Sequence, residues 1–143
     1  MTPALPDNLR GNFMCLAIPA PVESQGEFMT GRVGVIALLS LLAAQEVERG
    51  TTARVWENAA ISAVLAEAAE TYGVQYAELA SIGPTDLSLE ALDRANAALR
   101  QALIALHETV ETAGDLRRHR AIIRLYGEMA ERRRLDLPPL PAR

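Results

Sequence analysis

The sequence predicts an all-α domain: four main helices packed as a bundle, an irregular arm before them and a proline-rich tail after. Half of the 143 residues are apolar, yet only 4% are aromatic. Alanine and leucine dominate the apolar half, which favours helices over sheets. Apolar residues recur at spacings of three and four over long stretches, the period of one helix face. Gly50, Gly73 and Gly114 stand where those stretches end, as helix stops do. The length suits one domain. It divides into an arm over residues 1–28, a helical domain over 29–135 and a tail over 136–143.

In the arm, Pro3, Pro6, Pro19 and Pro21 interrupt every apolar run, and Gly11 and Gly26 add turns. The run 13–18 suits a short strand or a segment packed on helices. Its core, Met14-Cys15-Leu16-Ala17-Ile18-Pro19, resembles the opening of the small hydrogenase-maturation chaperones. In that family the cysteine stands beside the initiator methionine and works near a free N-terminus. The resemblance covers six residues. Cys15 is internal here unless translation starts at Met14, and the chain that follows reads as helical, whereas that family is a small β-barrel. No family is assigned on it.

The first helix is expected over about 30–49. Val33, Val35, Ile36, Leu38, Leu39, Leu41 and Leu42 leave it almost no polar face, the pattern of a bundle centre. Its apolar run is too short for a bilayer, which needs about 20 residues. With Met29 and Arg32 it also resembles a secretory signal, but it becomes charged without a clean A-x-A site. Gly50 is the expected stop, and Thr51-Thr52 offer caps for a second helix over about 53–72. There Ile61, Val64, Leu65, Ala68 and Tyr72 share a face, with small residues Ala59, Ala60, Ala63 and Ala66 beside them. A short helical turn is expected over 74–81, before Gly83-Pro84.

The third helix is marked at both ends. Ser88 is the expected N-cap, Glu90 suits the first turn, Leu87 can staple to Leu92, and Gly114 is the stop. Leu89, Leu92, Asn96, Leu99, Leu103, Leu106 and Val110 form a heptad seam with a polar residue at one a-type position. The seam can pack within the chain or against another subunit. The fourth helix is expected from Asp115, as cap, to about Leu135. Leu116, Ile122, Ile123, Tyr126 and Met129 form its apolar side. The tail, with Pro138, Pro139 and Pro141, is expected as polyproline, either covering its own bundle or serving as a P-x-x-P ligand. An internal echo pairs Asn58-Ala59-Ala60 with Asn96-Ala97-Ala98.

Composition removes several chemistries. The chain has no lysine, so neither a phosphate-loop lysine nor a lysine Schiff base exists. One cysteine makes no internal disulfide or multi-thiolate zinc site and fits a reducing, cytoplasmic compartment. There is no G-x-G-x-x-G and no G-x-S-x-G. Helical di-iron proteins use two Glu-x-x-His pairs, but Ile104 precedes His107 and Leu116 precedes His119 at that spacing. No cofactor, metal or catalytic set is assigned.

Three functional readings remain. The leading one is a non-enzymatic interaction or accessory protein, self-associating or holding a protein partner through apolar helix faces. Its residues are Leu92, Asn96, Leu99, Leu103, Leu106, Val110 and the lone tryptophan, Trp56. The second is a nucleic-acid-binding regulator. Residues 115–143 carry eight arginines against four acids, while residues 1–114 carry six against fourteen. Arg117, Arg120 and Arg124 line one face of the fourth helix as anion-binding candidates. No aromatics interleave for base stacking, so nucleic acid is less favoured than a protein contact. The third is a helical enzyme or ligand binder using His107 with Glu108 or Glu111, the latter one turn away on the same face.

Overall fold

A computed structural model describes residues 5, 8, 11, 12 and 25–137. The run 13–18, with Cys15, and the prolines of the tail lie outside the described residues. Among those described there are four helices and no strand. They are α1 (Gln25–Tyr72), α2 (Gln75–Ala80), α3 (Leu89–Thr112) and α4 (Leu116–Arg132). No helix among the described residues is long and apolar enough to cross a membrane.

The first two expected helices are one continuous helix of 48 residues. The stop assigned to Gly50 is not made, and the reason is conformational. A glycine ends a helix by taking a left-handed φ, and the positive-φ glycines are Gly73 and Gly114, at φ 120° and 69°. These two do end α1 and α3. Gly50 stays helical and buried, and its carbonyl accepts from Arg54 Nη1 at 3.0 Å.

The chain forms two compact units, Met1–Arg49 with Leu135–Arg143, and Gly50–Arg134. In the first, Gln45 binds the main chain of Asp136 twice: its Nε2 donates to the carbonyl at 2.8 Å and its Oε1 accepts from the amide at 2.7 Å. Arg49 adds an ion pair to the Asp136 carboxylate at 2.9 Å. Ala43 and Gln45 are buried, but Val33, Val35, Leu38, Leu41 and Val47 are exposed. The nearly unbroken apolar character of this segment is therefore not matched by burial.

The second unit holds the larger core. Ile61, Leu65 and Ala68 from α1 meet Tyr76 from α2. Leu99, Ala102, Leu103, Leu106 and Val110 from α3 join them, with Ile122, Leu125 and Met129 from α4. Each fully buried leucine or isoleucine contributes about 1.5–3 kcal/mol. The α4 face is rotated from the expected one: Leu125 is buried, while Leu116 and Ile123 are exposed. Both caps form, with Ser88 Oγ accepting from Ala91 N at 3.2 Å and Asp115 Oδ1 from Arg118 N at 3.0 Å. Leu87 is exposed although Leu92 is fully buried.

Candidate metal centre

The residues singled out in the sequence take up four different environments. The α3 seam faces inward: Leu92, Asn96, Leu99, Leu103, Leu106 and Val110 are buried in the second unit. Their apolar surface is covered by the chain itself. Trp56 is half-buried under the Arg132 guanidinium, 3.9 Å above its ring, a cation–π contact. Arg117, Arg120 and Arg124 are exposed on α4. Other members of the arginine-rich segment have partners within the second unit. Arg118 reaches Asp115 and Thr71, Arg133 holds Glu57, and Arg134 pairs with Glu131 at 2.9 Å.

Near the cap of α4, the Arg118 backbone N–H holds the Asp115 carboxyl below its ordinary range. Tyr72 donates to that carboxylate at 3.1 Å. Desolvation first, and then Asp115, pushes the Tyr72 phenol up.

Two polar clusters are built between the helices. The first surrounds Glu57, whose side chain is fully buried. Arg133 grips it with two N–H groups, Nε to Oε1 at 2.7 Å and Nη2 to Oε2 at 2.6 Å. Asn96 Nδ2 donates to Glu57 Oε2 and to Asn58 Oδ1, both at 2.9 Å. Asn96 Oδ1 accepts from Arg133 at 3.1 Å, and Asn58 donates to the Leu92 carbonyl at 3.3 Å. The two asparagines of the internal echo thus meet. Charge and hydrogen-bonding capacity are both answered here, as burial of a carboxylate requires.

The second cluster lies between α3 and α4. His107 Nε2 and His119 Nδ1 are 3.0 Å apart, with ring centroids at 5.0 Å. Glu111 Oε1 stands 3.7 Å from the first nitrogen and 3.5 Å from the second. These three ligand atoms lie within 4.8 Å of one another. The side chains are 15%, 34% and 56% exposed for His107, His119 and Glu111, so the cluster is backed by protein and open on one side. Tyr126 packs on His107 at 5.7 Å between ring centroids. Desolvation pushes its phenol up, with Arg100 opposing that shift and Glu111 reinforcing it.

The turn at Gly114 explains this meeting. His107 precedes it by seven residues and His119 follows it by five, so the two helices bring similar heights together. Sequence reasoning paired His107 with Glu111 correctly in space but placed His119 only among the arginines. Glu108, the other carboxylate considered with His107, is exposed and outside the cluster. The near-equal distance of both histidines from a strong helix stop was the signal that could have joined them.

Three ligand atoms so placed suit one ion. A tetrahedral ion about 2.05 Å from each ligand sets ligands roughly 3.3 Å apart, and the three observed separations bracket that value. Two imidazoles and a carboxylate are ligands for zinc and other first-row divalent ions. The chain matches no protein-family model, no curated protein and no solved structure.

Proposed function

We propose that the chain is a metal-binding helical protein, its divalent transition ion held by His107 Nε2, His119 Nδ1 and Glu111 Oε1. The observation that supports this reading is the convergence of three basic atoms with only a single short contact among them, that between the two rings. A neutral imidazole pair shares one proton across such a contact. The carboxylate oxygen stands beyond hydrogen-bond distance from both rings. A cation placed among the three would satisfy all of them. Imidazole ligation favours zinc over magnesium, which prefers an all-oxygen shell.

Calorimetric titration of the full chain tests this. Zn(II) should bind at one ion per chain while Mg(II) gives no heat. His107→Ala should weaken Zn(II) by more than the about 10–100-fold typical of outer-shell changes. Equal Zn(II) affinity in the variant would refute the assignment. Binding should also weaken as pH falls, because imidazoles ligate only when deprotonated.

A second reading rests on a separate observation. Val33, Val35, Leu38, Leu41 and Val47 are exposed on α1, Val33 and Val47 by 60% and 65%. Such exposed apolar surface supports self-association or a protein partner, the accessory role expected from composition, and a cytoplasmic setting would suit it. Sedimentation at rising concentration tests it. A mass that grows, and stops growing in Leu38→Ser/Leu41→Ser, supports association; a constant monomer mass contradicts it.

A further inference from the structure

We propose that the second unit docks on a second copy of the chain through charge, Arg117 and Arg120 of α4 meeting the partner's Glu70 and the partner's Glu67. The inference rests neither on the metal-binding reading nor on the exposed apolar residues of α1.

Arg117, Arg120 and Arg124 follow one another at spacings of three and four, so they share one face of α4. All three are exposed, and none makes an ion pair among the described residues. Glu128 stands one turn beyond Arg124, so the positive charge is least balanced at Arg117 and Arg120. On α1, Glu67 and Glu70 are likewise exposed and without an ion pair among the described residues. Arg118 spans from α4 to α1. Its Nη1 donates to Asp115 at 3.2 Å, and its Nη2 to the Glu67 carbonyl at 3.3 Å and to Thr71 at 3.0 Å. Glu67 and Arg117 line one cleft of about 250 Å³ with Asp115, Arg118 and Ala121. The acidic and basic rows therefore lie side by side on one surface of the second unit.

A surface that carries opposite charges side by side is its own complement. Turned about a two-fold axis along the α1–α4 seam, each row faces the opposite row of the copy. The spacing agrees. Glu57 meets Arg133 and Thr71 meets Arg118, so the two helices run antiparallel. Arg117 and Arg120, like Glu67 and Glu70, are three residues apart, about 4.5 Å along a helix. The rotation thus sets Arg117 against the partner's Glu70 and Arg120 against the partner's Glu67. Each contact forms twice, and each arginine fork suits a carboxylate. The acids beside the row repel a phosphate backbone but attract a second row of arginines. The whole chain divides its charge in the same sense, with eight arginines against four acids in residues 115–143 and six against fourteen before them.

Sedimentation equilibrium of the full chain at 50 mM and 500 mM NaCl tests this. Association is expected at low salt and should weaken about tenfold at high salt, because exposed charge pairs are screened. Arg117→Glu/Arg120→Glu and Glu67→Arg/Glu70→Arg should each be monomeric at low salt. Mixed, the two variants should associate one to one, since every contact is then restored with its sign reversed. Should a variant lose its helical circular dichroism, Arg117→Gln/Arg120→Gln takes its place, and loss of low-salt association is again expected. A monomer at both salts would overturn the inference. So would low-salt association that persists in the variants, or folded variants that stay apart when mixed. Association that ignores salt and is lost in Leu38→Ser/Leu41→Ser would overturn this inference alone and leave the apolar reading standing.

Discussion

The two carboxylates Glu57 and Glu111 sit in opposite situations within the same helical unit. Glu57 is fully buried, gripped by Arg133 and reached by Asn96. Glu111 is more than half exposed and stands near two imidazoles without a short contact to either. The first cluster contains its own cation and closes on itself, so it fixes how three helices meet. The second has one short contact, the 3.0 Å hydrogen bond between the two rings, and no arginine facing its carboxylate. The proposed ion would supply there the cation that Arg133 supplies to Glu57.

The largest expected effect breaks the closed cluster. Arg133→Ala leaves the Glu57 carboxylate buried without its counter-charge, and should lower unfolding free energy by about 3–5 kcal/mol in a urea titration. A loss under about 1 kcal/mol would mean that the Glu57 pocket is wetter than its burial indicates.

Next comes the open cluster, where adding an ion should do what Arg133 does for Glu57. Zn(II) at a hundred times its dissociation constant should raise stability by about 2.7 kcal/mol. In His119→Ala the zinc-dependent increment should vanish, while the metal-free stability should shift by less than about 1 kcal/mol. A large metal-free loss instead would make the histidines structural, and the contrast between the two clusters would collapse.

Asn96→Leu should be intermediate in kind. It restores an apolar heptad position but deprives Asn58 and Glu57 of a buried donor, at a cost of about 1–3 kcal/mol. A stabilised variant would show that the buried donor contributes less than an apolar side chain at that position.

The smallest effect is at the partly buried cap of α4. The Asp115 carboxyl is held below its ordinary range by the Arg118 N–H. Its contribution is therefore present above the ordinary carboxylate range and lost as pH falls through the lowered value. Asp115→Asn should lessen the acid-induced loss of stability below about pH 4. An unchanged acid profile would remove the cap from the account.

Much of the helical architecture was legible in the residues. Ser88, Asp115, Gly73 and Gly114 marked ends by local chemistry, and the α3 seam was readable because seven positions repeat the same spacing. Gly50 misled because a glycine's identity does not reveal its φ, and Gly50 lies inside the continuous helix α1 without a positive φ. The rotation of α4, which buries Leu125 and exposes Ile123, depends on partners that no local pattern names. The Glu57 clamp escaped for a similar reason: Glu57 and Arg133 lie on distant segments, and each resembles a solvated charge when read alone. Two of the three residues of the candidate cluster were visible as His107 and Glu111 one turn apart. The third, His119, required folding the chain back at Gly114.

Equilibrium dialysis against Zn(II), with bound metal counted per chain, tests the central claim most directly. The unaltered protein and Glu108→Gln, a neighbouring carboxylate outside the cluster, should each retain one ion, and His119→Ala should retain none. Retention of the ion by His119→Ala, or its absence from the unaltered protein, would contradict the assignment of His107, Glu111 and His119 as the site.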